Sequence, residues 1–178
     1  MAASGSNPNL EKAQLSTSRS LSDPAPARRH RILIVEDSRA DLFLIREAIA
    51  AAKIDATLYV VNDGHAAMKF IEAADGDAGA PFPDLVLLDL NLPKKDGTEV
   101  LRLMRNSRSC KDVCVLIVSS SDSIKEREAI EALGFSGYFR KPSAYAEFLR
   151  LGPLVQELLA SGRKPGIAGG PGAEETSI

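Results

Sequence analysis

The sequence has no tryptophan, only two cysteines and few aromatic residues, and it contains no long apolar run. Cys110 and Cys114 stand four apart, a spacing that fits neither a redox pair nor a structural zinc site, so a reducing compartment is expected. Cys114, inside an apolar run, is expected to be a small core residue, and Cys110 a loop thiol of no evident role. No stretch approaches the roughly 18 apolar residues of a membrane span, and the first thirty residues lack the apolar region of a secretory signal. A soluble, cytoplasmic protein is therefore expected. Charge of one sign is also lacking: the formal net charge is -2, which argues against a chain held on nucleic acid or an anionic membrane by bulk electrostatics. The local exception, Arg28, Arg29, His30 and Arg31, is expected to solvate the start of the fold.

What is present suits one globular domain. The 178 residues are 44% hydrophobic and 26% charged, enough for a substantial core but too few for a second catalytic domain. A Ser/Pro/Ala-rich head over 1–28 and a Gly-rich tail over 161–178 bury too little apolar surface to offset their ordering entropy, and both are expected to be disordered. Between them, over 29–160, Val/Ile/Leu-rich runs at 31–35, 57–61, 85–89, 113–118 and 137–140 are mostly unbroken, as strands buried on both faces are. Segments of helical spacing follow each one: Leu42, Ile45 and Ile49; Met68 and Ile71; Val100 and Met104; Ile130 and Leu133; Phe148, Leu151, Val155 and Leu158. Ser38–Asp41, Asp96–Glu99 and Ser123–Glu126 have capping-box spacing, and Gly134 sits where a helix should end. Strict alternation predicts an α/β fold with a doubly wound, five-stranded parallel sheet and helices on both faces. Pro153 falls inside the last helical pattern and predicts a kink or break.

In such a sheet, functional groups collect at the carboxyl ends of the strands. The first strand ends in Glu36-Asp37, the third in Asp89, the fourth in Ser119-Ser120-Ser121 and the fifth in Arg140-Lys141-Pro142. Three carboxylates on one rim repel one another, and a divalent cation resolves the repulsion. All-oxygen ligation by few protein groups suits magnesium, with manganese as a substitute. Beside it a free carboxylate can act as a nucleophile toward a phosphoryl group. Lys141 would then supply charge and the Ser119 hydroxyl a hydrogen bond to the phosphoryl oxygens.

The strings ILIVEDS, LVLLDLNLPKKDG, VSSSD and GYFRKP, in this order and spacing, make residues 31–160 resemble the receiver domain of two-component response regulators. The resemblance implies the flavodoxin-like strand order 2-1-3-4-5. It implies Asp89 as phosphoacceptor, Asp37 as a direct magnesium ligand, Glu36 as a ligand through water and Asn91 as a donor of its backbone carbonyl to the metal. Ser119 stands at the switch hydroxyl and Tyr138 at the switch aromatic, which is expected to turn from an exposed to a buried rotamer on phosphorylation. Lys141 matches the family's site lysine, and the Lys141–Pro142 bond is expected to be cis. DLNLPKKDG is similar to the single-domain regulators that serve bacterial phytochrome kinases. That likeness implies a histidine kinase partner, a bacteriophytochrome among the candidates, and a homodimer through the fourth helix, fifth strand and fifth helix.

His30 and His65 offer no kinase function, so the phosphoryl group is expected to come from another chain, and the resemblance implies a phosphoacceptor rather than an enzyme. A phosphate sink or relay receiver is an alternative reading. So is a magnesium-dependent aspartate-nucleophile phosphohydrolase, but that class needs a second acid two residues after the nucleophile, where this chain has Asn91. A flavin-binding fold would need a loop rich in Ser, Thr and Gly after the first strand; here that loop is acidic.

Overall fold

The computed structural model describes residues 29–162 except 78 and 122. The head expected over 1–28 lies outside the described residues, and so does the tail expected over 161–178 apart from its first two residues, Ser161, which is the last residue of a helix instead, and Gly162, which caps it. Five strands, β1 His30–Val35, β2 Ala56–Val61, β3 Leu85–Leu88, β4 Cys114–Ser119 and β5 Gly137–Arg140, alternate with helices α1 Arg39–Ala51, α2 Gly64–Gly76, α3 Gly97–Asn106 and α4 Ile124–Leu133, and two helices, α5 Tyr145–Phe148 and α6 Leu151–Ser161, follow β5. All pairings are parallel and the order is β2-β1-β3-β4-β5, as anticipated.

Successive strand residues point to opposite faces, and the central strands are apolar on both. Leu33, Val35, Val86, Leu88, Val115 and Ile117 pack on one side with Ala67, Ile71, Val100, Met104 and Ile130 of α2, α3 and α4. Ile32, Ile34, Leu85, Leu87, Leu116 and Val118 pack on the other with Ile45, Ile49, Phe148, Leu151, Val155 and Leu158 of α1, α5 and α6. Each fully buried large side chain contributes about 1.5–3 kcal/mol of transfer free energy. The two layers clamp the sheet, so that only its edges and loops remain to carry function.

The helix starts follow the local chemistry. Asp96 caps α3 in a complete capping box with Glu99, whereas Ser38 supplies only half of one: its Oγ accepts the Asp41 N–H at 3.2 Å, and the Asp41 side chain goes elsewhere. The side chain of Glu126, and with it the expected Ser123–Glu126 pair, lies outside what is described. Gly134 ends α4 at φ 81°, its N–H donating to Ile130 O. The helical pattern around Pro153 is broken between Phe148 and Leu151, which places the proline in the first turn of α6; there its missing N–H has no helical partner to lose. α6 runs through Ser161 and Gly162 closes it in the left-handed region at φ 54°.

Cys110 differs from expectation. Rather than an open loop thiol, it is fully buried under the turn between α3 and β4, and burial pushes its thiol pKa up. Asp75, near the end of α2, stitches that turn down. It accepts the Ser109 N–H and the Ser107 hydroxyl at 2.8 Å and the Arg108 N–H at 3.1 Å, and the Ser109 N–H foremost holds its carboxyl at about 2. Cys114 is buried in the sheet as expected, and neither thiol is in a disulfide. At the start of the fold, Arg29 pairs with Asp55 and Arg31 with Asp84, and His65 is exposed in the first turn of α2. Among the described residues no helix is long and apolar enough to cross a membrane.

Candidate functional site

The carboxyl ends of β1, β3 and β5 converge. Glu36 extends β1, its N–H donating to Val61 O at 3.1 Å, and Asp89 follows β3, its N–H donating to Val35 O at 3.0 Å. Continued backbone bonding fixes both carboxylates against the end of the sheet, where Glu36 and Asp89 are buried and Asp37 faces solvent. One carboxylate oxygen from each of Glu36, Asp37 and Asp89 lies within 4.8 Å of the others. A set of hard oxygen donors, two at the floor and one at the mouth, suits a divalent cation completed by water.

Lys141 reaches into this cluster. Its N–H donates to Ser119 O at 3.0 Å, continuing the β4–β5 ladder. Its Nζ lies 2.8 Å from Glu36 Oε2, 2.8 Å from Asp41 Oδ2 and 2.7 Å from Asp89 Oδ2. Burial alone would lower the lysine's pKa, but its hydrogen bonds to Asp41, Asp89 and Glu36 outweigh it and hold the group charged, above its ordinary range. Burial pushes the Glu36 carboxyl up, opposed by Lys141 and by the Ser38 N–H at 3.0 Å. Removing one partner from a buried ionic cluster of this kind costs about 3–5 kcal/mol. The described residues contain no cis peptide bond, so Lys141–Pro142 is trans, against the expectation. The lysine is aimed instead by its ladder bond and its three carboxylates, and trans is the lower-energy form of an X–Pro bond by about 0.5–1 kcal/mol.

The loop after β3 wraps the mouth. Asn91 is exposed and its N–H donates to Asp89 Oδ1 at 3.1 Å. The loop is anchored to α2, where Lys94 pairs with the N-cap residue Asp63 at 2.6 Å, and folds back at Gly97, whose N–H donates to Leu90 O at 2.9 Å. A Cβ on Gly97 would run into the Asp89 carbonyl and Leu90 Cα, so the close approach that positions Asp89 requires glycine.

Ser119 is fully buried at the end of β4, and its Oγ accepts the Ser121 N–H at 3.2 Å. Tyr138 is half-buried rather than exposed: its hydroxyl donates to Ser121 O at 2.9 Å, and its ring lies between Phe135 and the Arg127 guanidinium. A phenol with a backbone acceptor in reach loses little by leaving solvent. The structure thus brings together Glu36, Asp37, Asp89 and Lys141, sets Asn91 at the mouth, and places Ser119 at the end of β4 and Tyr138 in β5, both bonded to Ser121 of the adjoining β4–α4 loop. Sequence reasoning missed Asp41, whose position in the first turn of α1 disguised it as a capping residue.

Comparison with known proteins agrees with this geometry. The response regulator receiver domain family matches residues 32–151. The response regulator Rcp1 of Synechocystis is 39% identical over 110 residues, covering 62% of this chain and 75% of Rcp1. The crystal structure of the phosphorylated cyanobacterial phytochrome response regulator RcpA is similar at a TM-score of 0.68 and 32% identity, covering 78% of this chain and 99% of that one. The Mn2+-bound form of Rcp1 gives a TM-score of 0.68 at 33% identity, covering 77% of this chain and 99% of that one. With the match spanning both the sheet and its acidic rim, the chain belongs to the response regulator receiver domain family and has the phosphoacceptor signalling role of that family.

Proposed function

We propose that Asp89 accepts a phosphoryl group from a phosphohistidine of a partner kinase and that the modified domain signals through its β4–α4 and β5 surface. The observation that carries this is the Asp89 carboxylate itself, buried at a strand end between the Lys141 ammonium and the Asn91 N–H. In the transfer an Asp89 oxygen forms a bond to phosphorus while the phosphorus–nitrogen bond of the donor breaks, its electron pair returning to the imidazole. Lys141 neutralises charge on the phosphoryl oxygens, and Ser119, once its hydroxyl turns toward them, donates a hydrogen bond. Glu36, Asp37, Asp89 and the backbone carbonyl of Asn91 would hold magnesium, which supplies charge neutralisation at the reacting oxygens. Asn91 brings no acid two residues after Asp89, which disfavours a phosphohydrolase.

The partner we infer is a histidine kinase of the bacteriophytochrome type, a reading supported by the phytochrome-associated relatives, and the setting is the cytoplasm. A homodimer through α4, β5 and the helical segment formed by α5 and α6 is supported by the exposed Ile124 and Tyr145 at the starts of α4 and α5. Sedimentation with and without beryllofluoride tests it, and a monomer in both conditions at high concentration contradicts it. The test of the central reading is Asp89→Asn: labelling by acetyl phosphate or by a kinase should vanish, and undiminished label would overturn the assignment.

A further inference from the structure

We propose that Asp41 is a positioning residue for the acceptor chemistry, retaining Lys141 throughout phosphorylation so that the N–H given up by Asp89 is aimed at the phosphoryl group. An ammonium has three N–H donors, and here all three have carboxylate partners, one each on Glu36, Asp41 and Asp89. When an Asp89 oxygen bonds to phosphorus, the negative charge that Lys141 faced moves out to the phosphoryl oxygens, and one N–H must follow it. The other two decide where the nitrogen stays.

Asp41 is suited to hold it. Its backbone is fixed in the first turn of α1, where its N–H donates to Ser38 Oγ, so its carboxylate reaches Lys141 from a rigid element other than the β5 end that carries the lysine. Lysine has a flexible four-carbon stem that does not orient itself. Asp41 is not one of the three carboxylates whose oxygens lie within 4.8 Å of one another, which leaves the lysine as its partner in the site. Its side chain is 29% exposed against 8% for Lys141, so replacing it leaves no buried gap.

The inference rests on Asp89 being the acceptor. The experiment uses the full chain with saturating magnesium and acetyl phosphate, reading aspartyl phosphate by intact mass; the donor's phosphorus–oxygen bond breaks and acetate leaves with the electron pair. Wild type, Asp41→Asn, Lys141→Met, the double variant and Asp89→Asn are compared, with unfolding midpoints in the same buffer. Asp41→Asn should slow the rate at saturating donor about five- to tenfold where Lys141 is present, leave half-saturation by the donor unchanged, and have an effect below about twofold in the Lys141→Met background. Equal slowing in both backgrounds, or no slowing with Lys141 present, overturns the proposal. Label that persists in Asp89→Asn overturns the acceptor reading and this inference with it, whereas a silent Asp41→Asn beside an unlabelled Asp89→Asn overturns this inference alone.

Discussion

The hydroxyl of Tyr138 and the hydroxyl of Ser119 are joined through one residue: Ser121 donates its N–H to Ser119 Oγ and accepts from Tyr138 at its carbonyl. A phosphoryl group on Asp89 adds roughly -1.5 to -2 charge and would draw the Ser119 hydroxyl toward it, disturbing both bonds of Ser121. The loop between β4 and α4 therefore couples the site to the ring. Ser119→Ala should still accept phosphate from acetyl phosphate while the Tyr138 ring resonances cease to respond to beryllofluoride. Equal shifts in wild type and variant would show that the coupling takes another route.

Asp37 is the exposed member of the acidic trio, so its loss affects ligation more than folding. Asp37→Ala should weaken magnesium or manganese binding by about tenfold or more and move stability by no more than about 0.5 kcal/mol. Calorimetric titration checks the first and urea unfolding the second. Wild-type affinity in the variant would remove Asp37 from the ligand set.

Asp75 predicts a pH dependence of stability. Its folded value of about 2 lies below the roughly 3.9 of an unfolded aspartate, so folding favours the ionised form. That contribution is present above about pH 4 and is lost as pH falls toward about 2. The difference in melting temperature between wild type and Asp75→Asn should be largest near neutrality and narrow across this acid window. A constant difference from pH 6 to pH 2 would contradict it.

Gly97→Ala should destabilise the domain by about 1–3 kcal/mol, because the added methyl overpacks the Asp89 backbone. It should slow phosphorylation as well, since the acceptor itself is displaced. Urea unfolding and acetyl phosphate labelling measure the two effects, and an unchanged midpoint would show that the loop yields at no cost.

The sheet was legible because parallel strands covered on both faces have apolar runs that little else produces, and strand ends then pointed to Glu36, Asp37, Asp89, Ser119 and Lys141. What escaped was decided by contacts distant in sequence. Asp41 obeys a local capping rule with its backbone, yet its side chain is taken by a lysine 100 positions away. Cys110 lies in a polar stretch, SRSCKD, that reads as an open turn until Asp75, more than thirty residues earlier, fastens it to the core. The half-buried Tyr138 depends on a carbonyl in a neighbouring loop, and no spacing rule encodes that acceptor.

The unequal burial of the two cysteines gives the protein an internal clock and its reference. Thiolate attack on an alkylating reagent requires access, so Cys110, which has no exposure, reacts only when its surroundings open. Cys114, the first residue of β4, keeps 6% exposure on a cleft that it lines with His30 and Phe82, and it should be modified without global unfolding, as the reference thiol. Cys110 lies beneath the turn that Asp75 fastens, and it should report the local lifting of that turn. The ratio of the two alkylation rates then measures how far the turn breathes, without any introduced label.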